Sequence, residues 1–274
     1  MPSDQRAPTD LPAILPDLPP MPDDQRASLT ALLLAALTET FGPALQAAVV
    51  KGSAYKGGFI PGFSDFDLHA YLRSSLVPML DPRTPSLDFA LALQSAIGKI
   101  DVKPFGAGEA QVYLIDAEHY PDDWTPPLPG TYELVFGELP SGLPKPDRGR
   151  LASEARAYFP AVLRGAFAII GRVLDKGDSS LPPLVRLLGT YLKPAPYHAA
   201  ILDGADPLVV WTRPFPELLA SVEPAWDPAR GVTRYFFEAY RWNQVRQDPA
   251  RLRAMFKAGY EGLQAFGARA ATLS

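Results

Sequence analysis

The chain has no cysteine. That absence excludes disulfides, zinc–thiolate centres and cysteine nucleophiles. Histidine is nearly as scarce: His69, His119 and His198 stand far apart, with no metal-ligand spacing. No apolar run reads as a membrane span, and the N-terminus lacks a basic-then-apolar leader. A soluble cytoplasmic protein with no membrane partner is therefore expected. Charged residues are only 20% of the chain, against 47% hydrophobic ones. Over 274 residues that is an ordinary globular balance, enough for one large or two modest cores.

Charge is unevenly spread. Residues 1–145 carry 9 Lys+Arg and 18 Asp+Glu, a balance of −9, and residues 146–274 carry 17 and 12, a balance of +5. The two sum to the chain's −4. An acidic half precedes a basic half, and the basic half suits an anionic ligand such as a triphosphate. Exposed arginines on helices account for it equally well.

The most informative stretch runs from Val49 to Leu72. An apolar strand over Leu45–Lys51 ends in Gly52-Ser53. A spacer from Ala54 to Ser64, 11 residues, leads to a second strand over Asp65–Leu72. Strand side chains alternate between faces, so Asp65 and Asp67 share one face, and His69 and Tyr71 continue it. Phe66, Leu68, Ala70 and Leu72 turn the other way, into a core. Adjacent carboxylates repel unless a cation lies between them. Oxygen ligands suit Mg²⁺, which takes one or two carboxylates plus substrate phosphates. Gly52 permits close backbone approach, Ser53 adds a hydroxyl, and Ser64, Lys51 and Lys56 are further candidates at a phosphate.

This strand–Gly-Ser–spacer–Asp-x-Asp pattern resembles the nucleotidyltransferase superfamily of DNA polymerase β, and most of all the small bacterial antibiotic adenylyltransferases. The detailed resemblance covers residues 45–116. It implies an α+β fold: an N-terminal nucleotidyltransferase domain with a small mixed sheet, then a C-terminal helical bundle, with the active site in the cleft between them. It implies Mg²⁺ on Asp65 and Asp67. The implied reaction moves a nucleoside monophosphate from ATP or another nucleoside triphosphate to a hydroxyl of a small-molecule acceptor. The basic C-terminal half favours a neutral or anionic acceptor.

The family places a third acid on the next strand. Here that strand, Glu109–Asp116, puts Gln111 at the matching position, and glutamine is no base near neutral pH. Glu109 lies on the same face, Asp101 has the apolar flanks of the family pattern, and Glu238 stands in the helical half. Each is a candidate third acid. The alternative function is a catalytically eroded, nucleotide-binding or regulatory protein of the same fold. No motif marks a nucleic-acid partner; the aromatic–arginine run Arg234–Trp242 is the nearest feature.

Three segments are expected: a proline-rich, loosely packed arm over 1–27, a nucleotidyltransferase domain over 28–145 and a helical substrate or accessory domain over 146–274. Ser28 is the expected N-cap of a first helix over Leu29–Phe41. Helical spacing marks Leu87–Ile100. Tyr120–Pro146, dense in proline, reads as loop or hairpin. Helices follow over Leu151–Leu174, Leu184–Leu192, Tyr197–Leu202, Glu217–Val222, Thr233–Arg246 and Pro249–Ala270.

Overall fold

A computed structural model describes residues 15–120, 124–174, 177–222 and 229–273. The architecture is mixed α and β, with one small mixed sheet followed by a largely helical C-terminal part. The chain forms two compact units. One spans Leu18–Leu151 together with Pro207–Pro214, and the other holds the described chain up to Asp17, Ala152–Asp206 and Phe215 onward. The division falls close to residue 146, but Pro207–Pro214 returns to the sheet-bearing unit, which the sequence pattern does not foretell.

In the sheet-bearing unit the elements are α1 (Asp23–Phe41), β1 (Leu45–Lys51), the short turn of helix α2 (Ser53–Lys56), β2 (Phe66–Leu72), β3 (Met79–Asp81), β4 (Thr84–Pro85), α3 (Leu87–Ile97), β5 (Ala110–Asp116) and β6 (Tyr132–Gly137). The sheet order is β5-β2-β1-β6. β1 runs antiparallel to both β2 and β6, whereas β2 and β5 are parallel. Parallel neighbours need a crossover connection. Here it is the small β3–β4 hairpin followed by α3.

Side-chain alternation sorts the sheet into two faces. Ala48 and Val50 of β1, Phe66, Leu68, Ala70 and Leu72 of β2, and Ala110, Val112 and Leu114 of β5 form one apolar layer. Leu29, Leu33, Leu37 and Phe41 recur every fourth residue along one face of α1 and close that layer. Each fully buried leucine contributes about 1.5–3 kcal/mol of apolar transfer. The opposite face carries a smaller cluster of Ala47, Val49, Tyr71, Ile115 and Trp124.

Local expectations differ from the structure at several points. α1 begins at Asp23 behind Pro22, so Ser28 lies inside the helix instead of capping it. The arm expected over 1–27 is packed across its described part. Leu15 and Met21 are buried, and the Gly58 and Phe59 amides donate to the Leu18 and Pro19 carbonyls. The rest of that arm, residues 1–14, lies outside the described residues. Within the proline-rich stretch, Tyr132–Gly137 is a strand on the sheet edge. Gly137 sits there at φ +62°, where an added Cβ would fall 2.0 Å from the Gln46 carbonyl oxygen.

α1 and the turn after it, Asp23–Ala44, have a mean hydropathy of 1.2 and the length of a membrane span. The buried face Leu29–Leu33–Leu37–Phe41 accounts for that apolarity as the core helix of a sheet. The helical unit comprises α4 (Arg148–Leu174, from Ala152), α5 (Leu181–Leu192), α6 (Ala195–Leu202), α8 (Phe215–Val222), α9 (Ala229–Ala239), α10 (Trp242–Val245) and α11 (Pro249–Ala270). The turn α7 (Pro207–Val210) belongs to the sheet-bearing unit. The helix expected over Thr233–Arg246 is divided between α9 and α10.

Candidate functional site

The candidate site lies on the sheet face opposite α1, at the strand ends that carry the acids. Strand register builds it in rows. Tyr132, Lys51, Asp67 and Gln111 align across β6, β1, β2 and β5. In the next row Val49 and His69 are partners, and His69 is in turn the partner of Tyr113. Asp65 precedes the first residue of β2, one alternation beyond Asp67. The position on β5 opposite Asp67 is therefore occupied by an amide.

Gly52 connects β1 to α2 at φ +70° and ψ −153°, a region open in practice only to glycine. A Cβ there would fall 2.2 Å from Asp67 Oδ2. The missing side chain thus lets the Asp67 carboxylate lie against the turn, bringing the Gly-Ser motif and the second acid into van der Waals contact. Ser53 is buried directly after it.

Gln111 donates its Nε2 to Asp65 Oδ2 at 3.0 Å. The Tyr113 hydroxyl donates to Gln111 Oε1. That phenol is pushed up to about 12, first by desolvation and then by Asp67, Asp65 and Glu109. It stays protonated and remains a donor, which fixes the amide with its carbonyl toward Tyr113 and its NH₂ toward Asp65. Tyr113 is 46% exposed as a residue. The three acids that act on its hydroxyl report a shared negative locale. Glu109 itself is exposed just before the first residue of β5, which begins at Ala110 and not at Glu109 as expected, and its backbone carbonyl accepts from the Phe66 amide at 2.8 Å.

Lys51 is half-buried across from Asp67. Burial lowers its pKa, and Asp67 opposes that shift. His69 is buried, with its ring 4.9 Å from that of Tyr113. Desolvation, reinforced by Lys51, holds it well below the usual imidazole range, so it is neutral. Its Nδ1 has no hydrogen-bond partner among the described residues.

The remaining candidates are used elsewhere. Ser64 Oγ accepts from the Ile60 amide at 2.9 Å and closes the spacer loop. Lys56 donates its ammonium to the Trp211 backbone carbonyl, in the returning segment Pro207–Pro214. Asp101 Oδ1 accepts from the Lys103 amide at 3.1 Å in an exposed turn. Glu238 is on α9 in the helical unit and pairs with Arg251 at 2.6 Å, while Arg241 lies over the Phe237 ring at 4.0 Å. Glu109 is thus the candidate third acid that acts on the same phenol as Asp65 and Asp67. Lys51 is the residue that sequence reasoning undervalued. Its place at the end of an otherwise apolar strand, in register with an acid, is the signal that marks it.

Among the described residues no group of three or more His, Asp or Glu side chains forms a metal cluster. The acid pair is a two-carboxylate set, the number Mg²⁺ commonly takes from protein when phosphate oxygens complete its shell. Compared with known proteins, the chain matches no family model and no curated protein.

Proposed function

We propose that this chain is a Mg²⁺-dependent nucleotidyltransferase that moves a nucleoside monophosphate, most simply from ATP, to a hydroxyl of a small, neutral or anionic acceptor. One observation carries the reading. The Gly52 turn is packed against Asp67, as a phosphate-cradling turn and a metal-binding pair must be if they serve one ligand. A cytoplasmic location and a nucleotidyltransferase identity for the sheet-bearing unit belong to the same proposal.

Asp65 and Asp67 would hold the cation, which when bound neutralises charge on the transferred phosphoryl group and orients in-line attack. Gly52 lets Asp67, and with it the cation, lie against the turn, and the Ser53 hydroxyl is a donor for a phosphate oxygen there. Lys51 adds a fixed positive charge at the Asp67 end. Glu109, on the same β5 face as Gln111, is the acid available to take the proton of the attacking hydroxyl. A positioned base contributes about 10²–10⁴-fold.

A second reading is a nucleotide-binding protein without turnover. It is favoured by Gln111, which stands opposite Asp67 and spends its amide on Asp65. Calorimetric titration of ATP with and without Mg²⁺, followed by pyrophosphate release across classes of hydroxyl acceptor, separates the two. Mg²⁺-dependent binding with release supports transfer, and binding without release on any acceptor supports the second reading. No ATP binding with or without Mg²⁺ removes both, and binding equally strong in Asp65→Asn and Asp67→Asn removes the acid pair from the site.

A further inference from the structure

Each acid of the candidate site already faces a donor from its own sheet. Asp65 accepts from Gln111 Nε2, and Asp67 is the cross-strand partner of Lys51, whose charge it influences. On the nucleotide-binding reading above, we propose that the site is built for a single divalent cation, with Lys51 in the place of a second positive charge and Gln111 closing the site to a second ion.

The argument is one of ligands and charge. A second cation beside the first needs a further anionic or carbonyl oxygen facing the pair. The β5 residue in register with Asp67 is the one that faces it, and that residue is Gln111. Its carbonyl is taken by the Tyr113 hydroxyl, so the oxygen that would ligate a metal is turned away and an amide NH₂ is presented instead. An N–H group cannot coordinate a cation.

Charge points the same way. The carboxylates of Asp65, Asp67 and Glu109 and the Lys51 ammonium sum to −2, which one divalent ion neutralises. A second divalent ion would have to approach the Lys51 ammonium in a partly desolvated setting, where like charges repel far more strongly than in water. Lys51 is a tethered cation at the end of β1. It is half-buried, and the β1–β2 register makes it the cross-strand partner of Asp67.

The test counts Mn²⁺ by electron paramagnetic resonance, at saturating α,β-methylene ATP, per protein chain. The expected count is one for the parent and two for Gln111→Glu, which replaces the blocking amide with a carboxylate. A parent count of two overturns the one-cation site and leaves the nucleotide-binding reading standing. A count of zero, with no analogue bound, overturns both. A count of one in folded Gln111→Glu overturns the role given to Gln111. Should Gln111→Glu not fold, Lys51→Met reads the other half of the proposal. Without nucleotide, its Mn²⁺ affinity should rise on the order of tenfold or more, because the repelling ammonium is gone. An affinity equal to the parent's overturns the role given to Lys51.

Discussion

Gln111 holds Asp65 through a 3.0 Å amide hydrogen bond, and its own orientation is set by Tyr113. The third strand of the site therefore contributes dipoles where a carboxylate would contribute charge. This relay makes Tyr113 more than a surface aromatic. Tyr113→Phe should cost folding stability only about 0.5–1.5 kcal/mol, the net worth of one hydrogen bond. It leaves the Gln111 amide able to turn, so Mg²⁺-dependent ATP affinity should fall roughly tenfold, as for other outer-shell partners. Calorimetry beside urea unfolding checks both, and an unchanged affinity would detach the relay from the site.

Gly52→Ala tests the contact on which the site is built. The backbone angles there cost a non-glycine residue about 1–3 kcal/mol. The new methyl must also displace a carboxylate oxygen from 2.2 Å. The variant should unfold at lower urea and bind nucleotide more weakly than its stability loss explains. Parent-like binding would mean that the Asp67 position does not matter to the ligand.

Lys56 ties the segment Pro207–Pro214 to the turn of α2 through the Trp211 carbonyl. Lys56→Met keeps the aliphatic stem and removes the donor. Amide hydrogen exchange should then accelerate at Trp211, Thr212 and Arg213, with little change in the core of β1 and β2. Uniform exchange across the variant would show that the strap is held by other contacts.

His198, buried in α6 against the Tyr158 ring at 4.0 Å, is lowered by desolvation from 6.5 to about 3. The folded protein keeps this imidazole neutral while the unfolded chain protonates it near pH 6.5. Its contribution is therefore complete above about pH 6.5 and is lost as pH falls from there toward 3, by up to about 1.4 kcal/mol per pH unit. Urea unfolding between about pH 6.5 and pH 5 should show a shallower pH slope in His198→Leu than in the parent. Equal slopes would mean that His198 is protonated alike in both states.

What could be read from the sequence was whatever is carried by short-range pattern. Alternation alone sends Phe66, Leu68 and Ala70 to one face and Asp65 and Asp67 to the other. The same rule puts Ala110, Val112 and Leu114 in the core and Gln111 opposite the acids. β6 was hidden because an edge strand buries little: Leu134 and Phe136 are 46% and 37% exposed, and prolines crowd the approach to it. The packed start of the chain was hidden for a related reason. Residues 18–21 are fixed by main-chain hydrogen bonds to Ala54, Gly58 and Phe59, which leave no side-chain periodicity. Lys56 and Lys51 illustrate the limit at the site. Which of two lysines flanking a Gly-Ser turn faces an acid depends on register and on a carbonyl 155 residues away.

The chain passes between its two units more than once: near Leu18, again after Leu151, and out and back around Pro207–Pro214. No single peptide cleavage separates two self-sufficient halves. A fragment ending at Leu151 would keep every strand among the described residues yet lose the carbonyl that engages Lys56. Each unit is assembled from separate stretches of the chain, so neither is one continuous segment.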